Sequence, residues 1–141
     1  MERVGGMMSA EQTIQVVKRL VEESSKIVIL LGVGTYIESG GENIWSSREC
    51  YRMEEKYNKT PDEMISVEFY SARRDKFFEF YKNEILLTDM EPSSLYYDIK
   101  KFQETGKVKR VITQNVDGLE KKAGLPKGMI INAHGVIDEA G

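Results

Sequence analysis

The 141-residue chain predicts an α/β fold, a parallel sheet broken by a helical insertion. Three observations point there. Ile27 to Leu31 is apolar on both alternating sets of side chains, the pattern of a strand covered on both faces. Strand character returns at 108–113 and again at 129–132, after a long stretch of helical periodicity. Helices between successive strands require crossover connections, and crossovers pair strands in parallel.

In chain order, residues 1–8 read as a tail. Ser9 can cap a helix, with Gln12 in the capping-box position. Ile14, Val17, Leu20 and Val21 then recur at helical spacing, so a helix over 10–24 presents one apolar face. The strand at 26–31 ends at Gly32-Val33-Gly34, read as a glycine loop. Residues 41–106 form the helical insertion. Thr60-Pro61-Asp62-Glu63 supplies a cap, a first-turn proline and two acids. Phe77, Phe78, Phe80, Tyr81, Ile85 and Leu86 mark a helix that is aromatic on its inner side, read as core packing. Pro92 opens the next helix, with Leu95, Tyr96, Ile99 and Phe102, and Gly106 closes it. A short helix over 118–124 separates the last two strands.

Composition narrows the function classes. The chain is 40% apolar and 30% charged, which suits a globular domain. With 23 acidic against 20 basic residues, net charge −3, it offers no electrostatic case for nucleic acid. IVILL is too short to span a bilayer and MERVGGMMSAEQ has no apolar signal core, so no membrane partner is expected and the location read is cytoplasmic. Cys50 is the one cysteine, which rules out an internal disulfide and a multi-cysteine zinc site.

Three segments carry candidate chemistry. Glycines at 32 and 34 permit positive φ and let backbone N–H groups approach a phosphate, although a plain tight turn explains them equally well. Ile37 stands where a dinucleotide fingerprint has its third glycine, and the acid expected about twenty residues on falls at Glu54 or Glu55, inside a helical stretch. An ordinary dehydrogenase-type domain is therefore disfavoured. In VITQNVDGLEKKAG, the strand runs into Thr113, Gln114, Asn115 and Asp117. The two carboxamides can donate and accept, and Asp117 can accept. The plainer alternative is that Asn115 and Asp117 cap the helix that follows. His134, in INAHG, follows the third strand and can take a proton near neutral pH. Ligands of parallel sheets bind beyond the carboxyl ends of the strands, where all three segments fall.

Together these segments resemble the sirtuins, the NAD-dependent protein deacylases. KIVILLGVGTYIESGG is similar to that family's strand and glycine loop, VITQNVDGLEKKAG to its TQNxDGLxxxAG motif, and INAHG to the strand that delivers its histidine; EPSSLYYDIKKFQETGKVKR also matches in length and character. The resemblance covers residues 10–135. It implies a partial Rossmann-like parallel sheet and NAD as cosubstrate, with the pyrophosphate on Gly32, Val33 and Gly34 and with Tyr36 where the family has serine. It further implies Gln114 toward the nicotinamide ribose, Asn115 and Asp117 orienting the nicotinamide end, and Val116 lining the carboxamide pocket. Asn115 and His134 would be the catalytic pair, His134 accepting a proton from a ribose hydroxyl. An acyl-lysine protein or peptide would be the partner, its acyl group ending on ADP-ribose.

Three departures accompany the resemblance, the first being Tyr36 in place of serine. Gly40-Gly41-Glu42-Asn43-Ile44-Trp45 replaces the family's GIPDFR, which gives weight to two alternatives: protein ADP-ribosyl transfer, or NAD binding without catalysis. The family also carries a four-cysteine zinc module and further strands, for which this sequence has no counterpart and no ligands. The expectation is thus a truncated, N-terminal half of a sirtuin-type domain, incomplete as a deacylase by itself. An open sheet edge would then favour self-association.

Overall fold

The computed structural model of the chain describes residues 8–86 and 89–137. The tail expected at residues 1–8 lies, apart from Met8, outside the described residues. Helix α1, Ala10–Glu23, begins with a complete capping box: Ser9 Oγ accepts from the Gln12 N–H at 3.2 Å, and Gln12 Oε1 accepts from the Ser9 N–H at 2.9 Å. Strand β1, Ile27–Leu31, leads into helix α2, Val33–Glu38. The insertion then folds as α3 (Ser47–Tyr57), α4 (Pro61–Met64), α5 (Val67–Ala72) and α6 (Arg74–Phe80), which runs on into a π-helical turn, Tyr81–Ile85. Helix α7 (Ser94–Glu104), strand β2 (Val108–Thr113), helix α8 (Leu119–Lys122) and strand β3 (Ile130–Asn132) follow. Gly106, at φ +78°, turns the chain out of α7 in the left-handed conformation that glycine adopts without penalty.

The sheet has the order β1-β2-β3, with both pairings parallel, so the α/β class agrees with the sequence expectation. Ile29 and Leu31 lie beside Val111 and Thr113, which lie beside Ile130 and Asn132. On that face α7 and α8 pack a core of Leu31, Tyr96, Ile99, Val108, Val111, Leu119, Ala123 and Leu125. The insertion has its own small core of Ile44, Met53, Met64 and Phe80, edged by Tyr57, Phe69 and Ile85. The aromatics therefore serve packing, as with the edge-to-face pair Tyr57–Phe80 at 5.4 Å. Phe78 is the exception on the expected inner side, being exposed.

Two expectations need correction. The strand at 27–31 is covered on one face only, since Val28 and Leu30 are 57% and 66% exposed and Ile131 continues that bare face. Its unbroken apolarity suited two covered faces, yet among the described residues only one layer of helices packs on the sheet. The apolar stripe of α1 is likewise open, with Ile14, Val17 and Leu20 exposed, while Lys107 Nζ ties the helix end down through the Val21 and Glu22 carbonyls. Finally, Gly32-Val33-Gly34 is not a loop: Gly32 is the N-cap of α2 in extended conformation, and neither glycine takes positive φ. Among the described residues, no helix is long and apolar enough to cross a membrane.

Candidate functional site

The sheet register brings the three candidate segments together. Leu31, Thr113 and Asn132 sit side by side at the carboxyl ends of their strands. Beyond them the pairing continues for one residue, with Gln114 N donating to Leu31 O at 3.0 Å and Ala133 N to Thr113 O at 2.9 Å. The segment after His134 returns to the same corner, where Ile137 N donates to Val116 O at 2.9 Å.

Asn115 links two of the segments. Its Nδ2 donates to Gly32 O at 3.1 Å and to Thr35 Oγ1 at 2.9 Å, and its backbone N–H donates to Thr113 Oγ1 at 3.1 Å. Both amide hydrogens are thereby committed to the protein, and Oδ1 is left as an acceptor. Thr35 is buried and also meets the hydroxyl of the fully buried Tyr96 at 3.2 Å. Burial, against the opposing bond to Thr35, pushes the Tyr96 hydroxyl up to about 12, so it stays a neutral hydrogen-bonding group.

Asp117 is not the cap of α8, whose N-cap is Gly118 without a side-chain bond; its Oδ1 accepts from the Leu119 N–H at 2.9 Å in an Asx turn that leads into the helix. Its second oxygen, Oδ2, is buried without a hydrogen-bond partner. Burial raises the carboxyl above its ordinary value and the Leu119 N–H draws it part of the way back. An unsatisfied buried acceptor of this kind fits a ligand that brings an N–H or O–H donor.

Gly32 has a reason to be glycine other than positive φ, because a Cβ there would stand 3.3 Å from Gln114 Oε1. Around Gly34 a Cβ would meet nothing, so space remains beside the first turn of α2, whose N–H groups at Val33 and Gly34 have no intrahelical acceptor. The Tyr36 ring fills the position that a Gly41 Cβ would occupy. Burial, and then the charges of Asp117 and Glu42, raise the Tyr36 hydroxyl, which puts that ring within electrostatic reach of Asp117. Gln114 is exposed and Val116 half-buried. His134 is exposed in the turn after β3, and its imidazole has no hydrogen bond or ion pair among the described residues. Trp45 points elsewhere, donating through Nε1 to Asp62 Oδ1 at 2.9 Å. No group of three or more His, Cys, Asp or Glu among the described residues could hold a metal ion.

The sequence and the fold both find counterparts among known proteins. The Sir2 family model matches residues 32–141, most of the chain. The chain belongs to the Sir2 family. It is 34% identical over 124 residues to an NAD-dependent protein deacetylase of Clostridium acetobutylicum, covering 88% of this chain and 50% of that protein. It is 35% identical over 130 residues to the NAD-dependent deacetylase sir2D of Dictyostelium discoideum, covering 91% of this chain and 24% of the other. Among solved structures, a Sir2 protein with deacetylated p53 peptide and 3′-O-acetyl-ADP-ribose superposes with TM-score 0.74 at 26% identity, covering 88% of this chain and 48% of that one. A Sir2–p53 peptide–NAD+ complex superposes with TM-score 0.71 at 25% identity, covering 88% and 46%. This Sir2-family chain spans about half the length of the bacterial relatives it matches.

Sequence reasoning missed Thr35, Tyr96 and Glu120, all buried polar residues at this edge. Thr35 follows the glycines directly and offered a weak signal. Tyr96 is one aromatic of an amphipathic helix, and Glu120 sits in a short charged segment that reads as solvated.

Proposed function

We propose that this chain contributes to NAD-dependent removal of acyl groups from protein lysine, releasing nicotinamide and leaving the acyl group on ADP-ribose. The observation that carries the reading is the common level of Leu31, Thr113 and Asn132, which gathers the three segments at one rim. The deacetylase names of the relatives and the peptide, NAD+ and acetyl-ADP-ribose in the similar structures support it.

NAD supplies the glycosidic bond that is broken. Backbone N–H groups at Gly32, Val33 and Gly34 hold its pyrophosphate, with Tyr36 beside them. Gln114, exposed at the end of β2, reaches toward the ribose. Asn115, held by Gly32 and Thr35, presents Oδ1, and Asp117 presents Oδ2, two acceptors suited to the donors of the nicotinamide end, with Val116 as the apolar neighbour. His134, unencumbered in its turn, takes the proton of a ribose hydroxyl. An acyl-lysine protein or peptide is the partner, and the cytoplasm the compartment, in keeping with the free thiol of Cys50. Among the described residues both outer strands leave unpaired edges, which supports self-association.

The test is mass spectrometry of an acetyl-lysine peptide incubated with NAD and the chain. Because the chain is expected to be incomplete as a deacylase by itself, at most weak peptide deacetylation with acetyl-ADP-ribose, abolished in His134→Ala, is the expected result, and robust turnover would show that these 141 residues suffice. ADP-ribose added to protein instead would establish the transferase alternative. NAD binding without either product would leave a binding module.

A further inference from the structure

Glu120 is the most deeply buried charged side chain beside this corner, and nothing in the reading above uses it. It is the second residue of α8 and 1% exposed. Neither of its carboxyl oxygens has a hydrogen-bond partner, and Asp117 Oδ2, three residues back, has none either. Three groups face it: Asp117 from the loop before α8, Thr113 from β2, and Tyr96 from α7. None of these is a cation. An ionised carboxylate in such surroundings has no countercharge and no donor within hydrogen-bond geometry, and the lower-energy state of such a group is the protonated acid.

Two neighbouring buried carboxyls do not both ionise readily, and the geometry says which one goes first. Asp117 is half-buried and its Oδ1 holds the Leu119 N–H, which stabilises an anion. Glu120 is sealed in. Burial raises its carboxyl, the Thr113 hydroxyl offsets this without reaching hydrogen-bond geometry, and the charge on Asp117 raises it further.

We propose that Glu120 is a positioning residue: a neutral carboxylic acid at physiological pH that leaves a single negative charge at this corner, on Asp117, whose Oδ2 stays free to accept from a ligand. The identity of that ligand rests on the NAD reading; the proton on Glu120 does not.

The chain and its Glu120→Gln and Glu120→Ala variants test this in three ways. Infrared spectra at pH 7 are expected to contain a protonated-carboxyl C=O band that Glu120→Gln removes; absence of the band, or its survival in Glu120→Gln, overturns the proposal. Urea unfolding gives the linkage. A carboxyl raised by folding contributes fully below its ordinary value of 4.5 and loses that contribution as pH rises toward the folded value. The stability of Glu120→Gln relative to wild type must therefore grow between pH 4.5 and 7, and a constant difference overturns the proposal. What slope remains in Glu120→Gln belongs to Asp117, which is raised as well.

Calorimetric titration with NAD separates positioning from chemistry. Glu120→Gln keeps the neutral shape and is expected to bind within about twofold of wild type, whereas Glu120→Ala loses about tenfold, the equivalent of roughly one hydrogen bond. Equal losses in both variants would overturn the proposal. If the infrared band and the pH slope follow Glu120 but wild type binds no NAD, the proton assignment holds and the NAD reading fails. NAD binding without the band overturns the assignment alone.

Discussion

Replacing Glu84 with glutamine probes how the helical insertion is held at the flank of the sheet. Glu84 lies in the π-helical turn after α6 with its side chain 5% exposed. Its Oε2 accepts from Arg52 Nη2 at 2.7 Å, and its Oε1 from Lys56 Nζ and the Tyr57 hydroxyl, each at 2.7 Å. Arg52 Nε also donates to Glu49 Oε2 at 2.6 Å, so two buried acids share Arg52. Burial by itself would raise Glu84, but the bonds from Arg52, Lys56 and Tyr57 outweigh it and bring the carboxyl from 4.5 to about 2. A displacement of that size corresponds to about 3 kcal/mol of stability at neutral pH. Arg52 and Lys56 are 40% and 49% exposed, so solvent screening lowers the expected loss in Glu84→Gln to about 2 kcal/mol. Because folding depresses this carboxyl, its contribution is complete above about 4.5 and disappears as pH falls toward 2. Urea unfolding followed by circular dichroism should therefore find Glu84→Gln weaker at pH 7, with its deficit shrinking on acidification. Equal midpoints at pH 7, or a deficit that persists unchanged at low pH, would refute the reasoning.

Three further outcomes are expected. Asn115→Ala removes both Nδ2 bonds, to Gly32 O and Thr35 Oγ1, and should cost about 1–2 kcal/mol in thermal unfolding together with NAD binding by calorimetry. In Gly41→Ala the new methyl would collide with the Tyr36 ring, so a loss of about 1–3 kcal/mol and a displaced ring, read from tyrosine fluorescence, are expected. Leu30→Lys, on the bare face of β1, should change unfolding by less than about 0.5 kcal/mol while reducing self-association in sedimentation velocity.

Much of the local structure was legible in the sequence because its causes lie within a few residues. Ser9 with Gln12 and Thr60 with Glu63 form their capping boxes as the spacing demands, and Gly106 turns α7 off. The TQNVDGLE motif carried the family for a similar reason, since its residues act as a contiguous strand end, corner and helix start. The glycine segment misled: a strand followed by GVG reads as a loop, yet the chain enters α2 at once, with Gly32 glycine because Gln114 lies against it.

By itself, then, the sequence determined the starts of α1 and α4, the end of α7, the parallel α/β class, and membership of the Sir2 family. Tertiary structure alone decided that β1 leaves Val28 and Leu30 bare, that Asn115 spends its amide hydrogens on residues 83 and 80 positions earlier, and that Glu120 is sealed away from water. The division is physical. Caps and turns are short-range hydrogen bonds written in neighbouring residues, whereas burial and the freedom of a carboxyl oxygen depend on whatever distant chain packs against it.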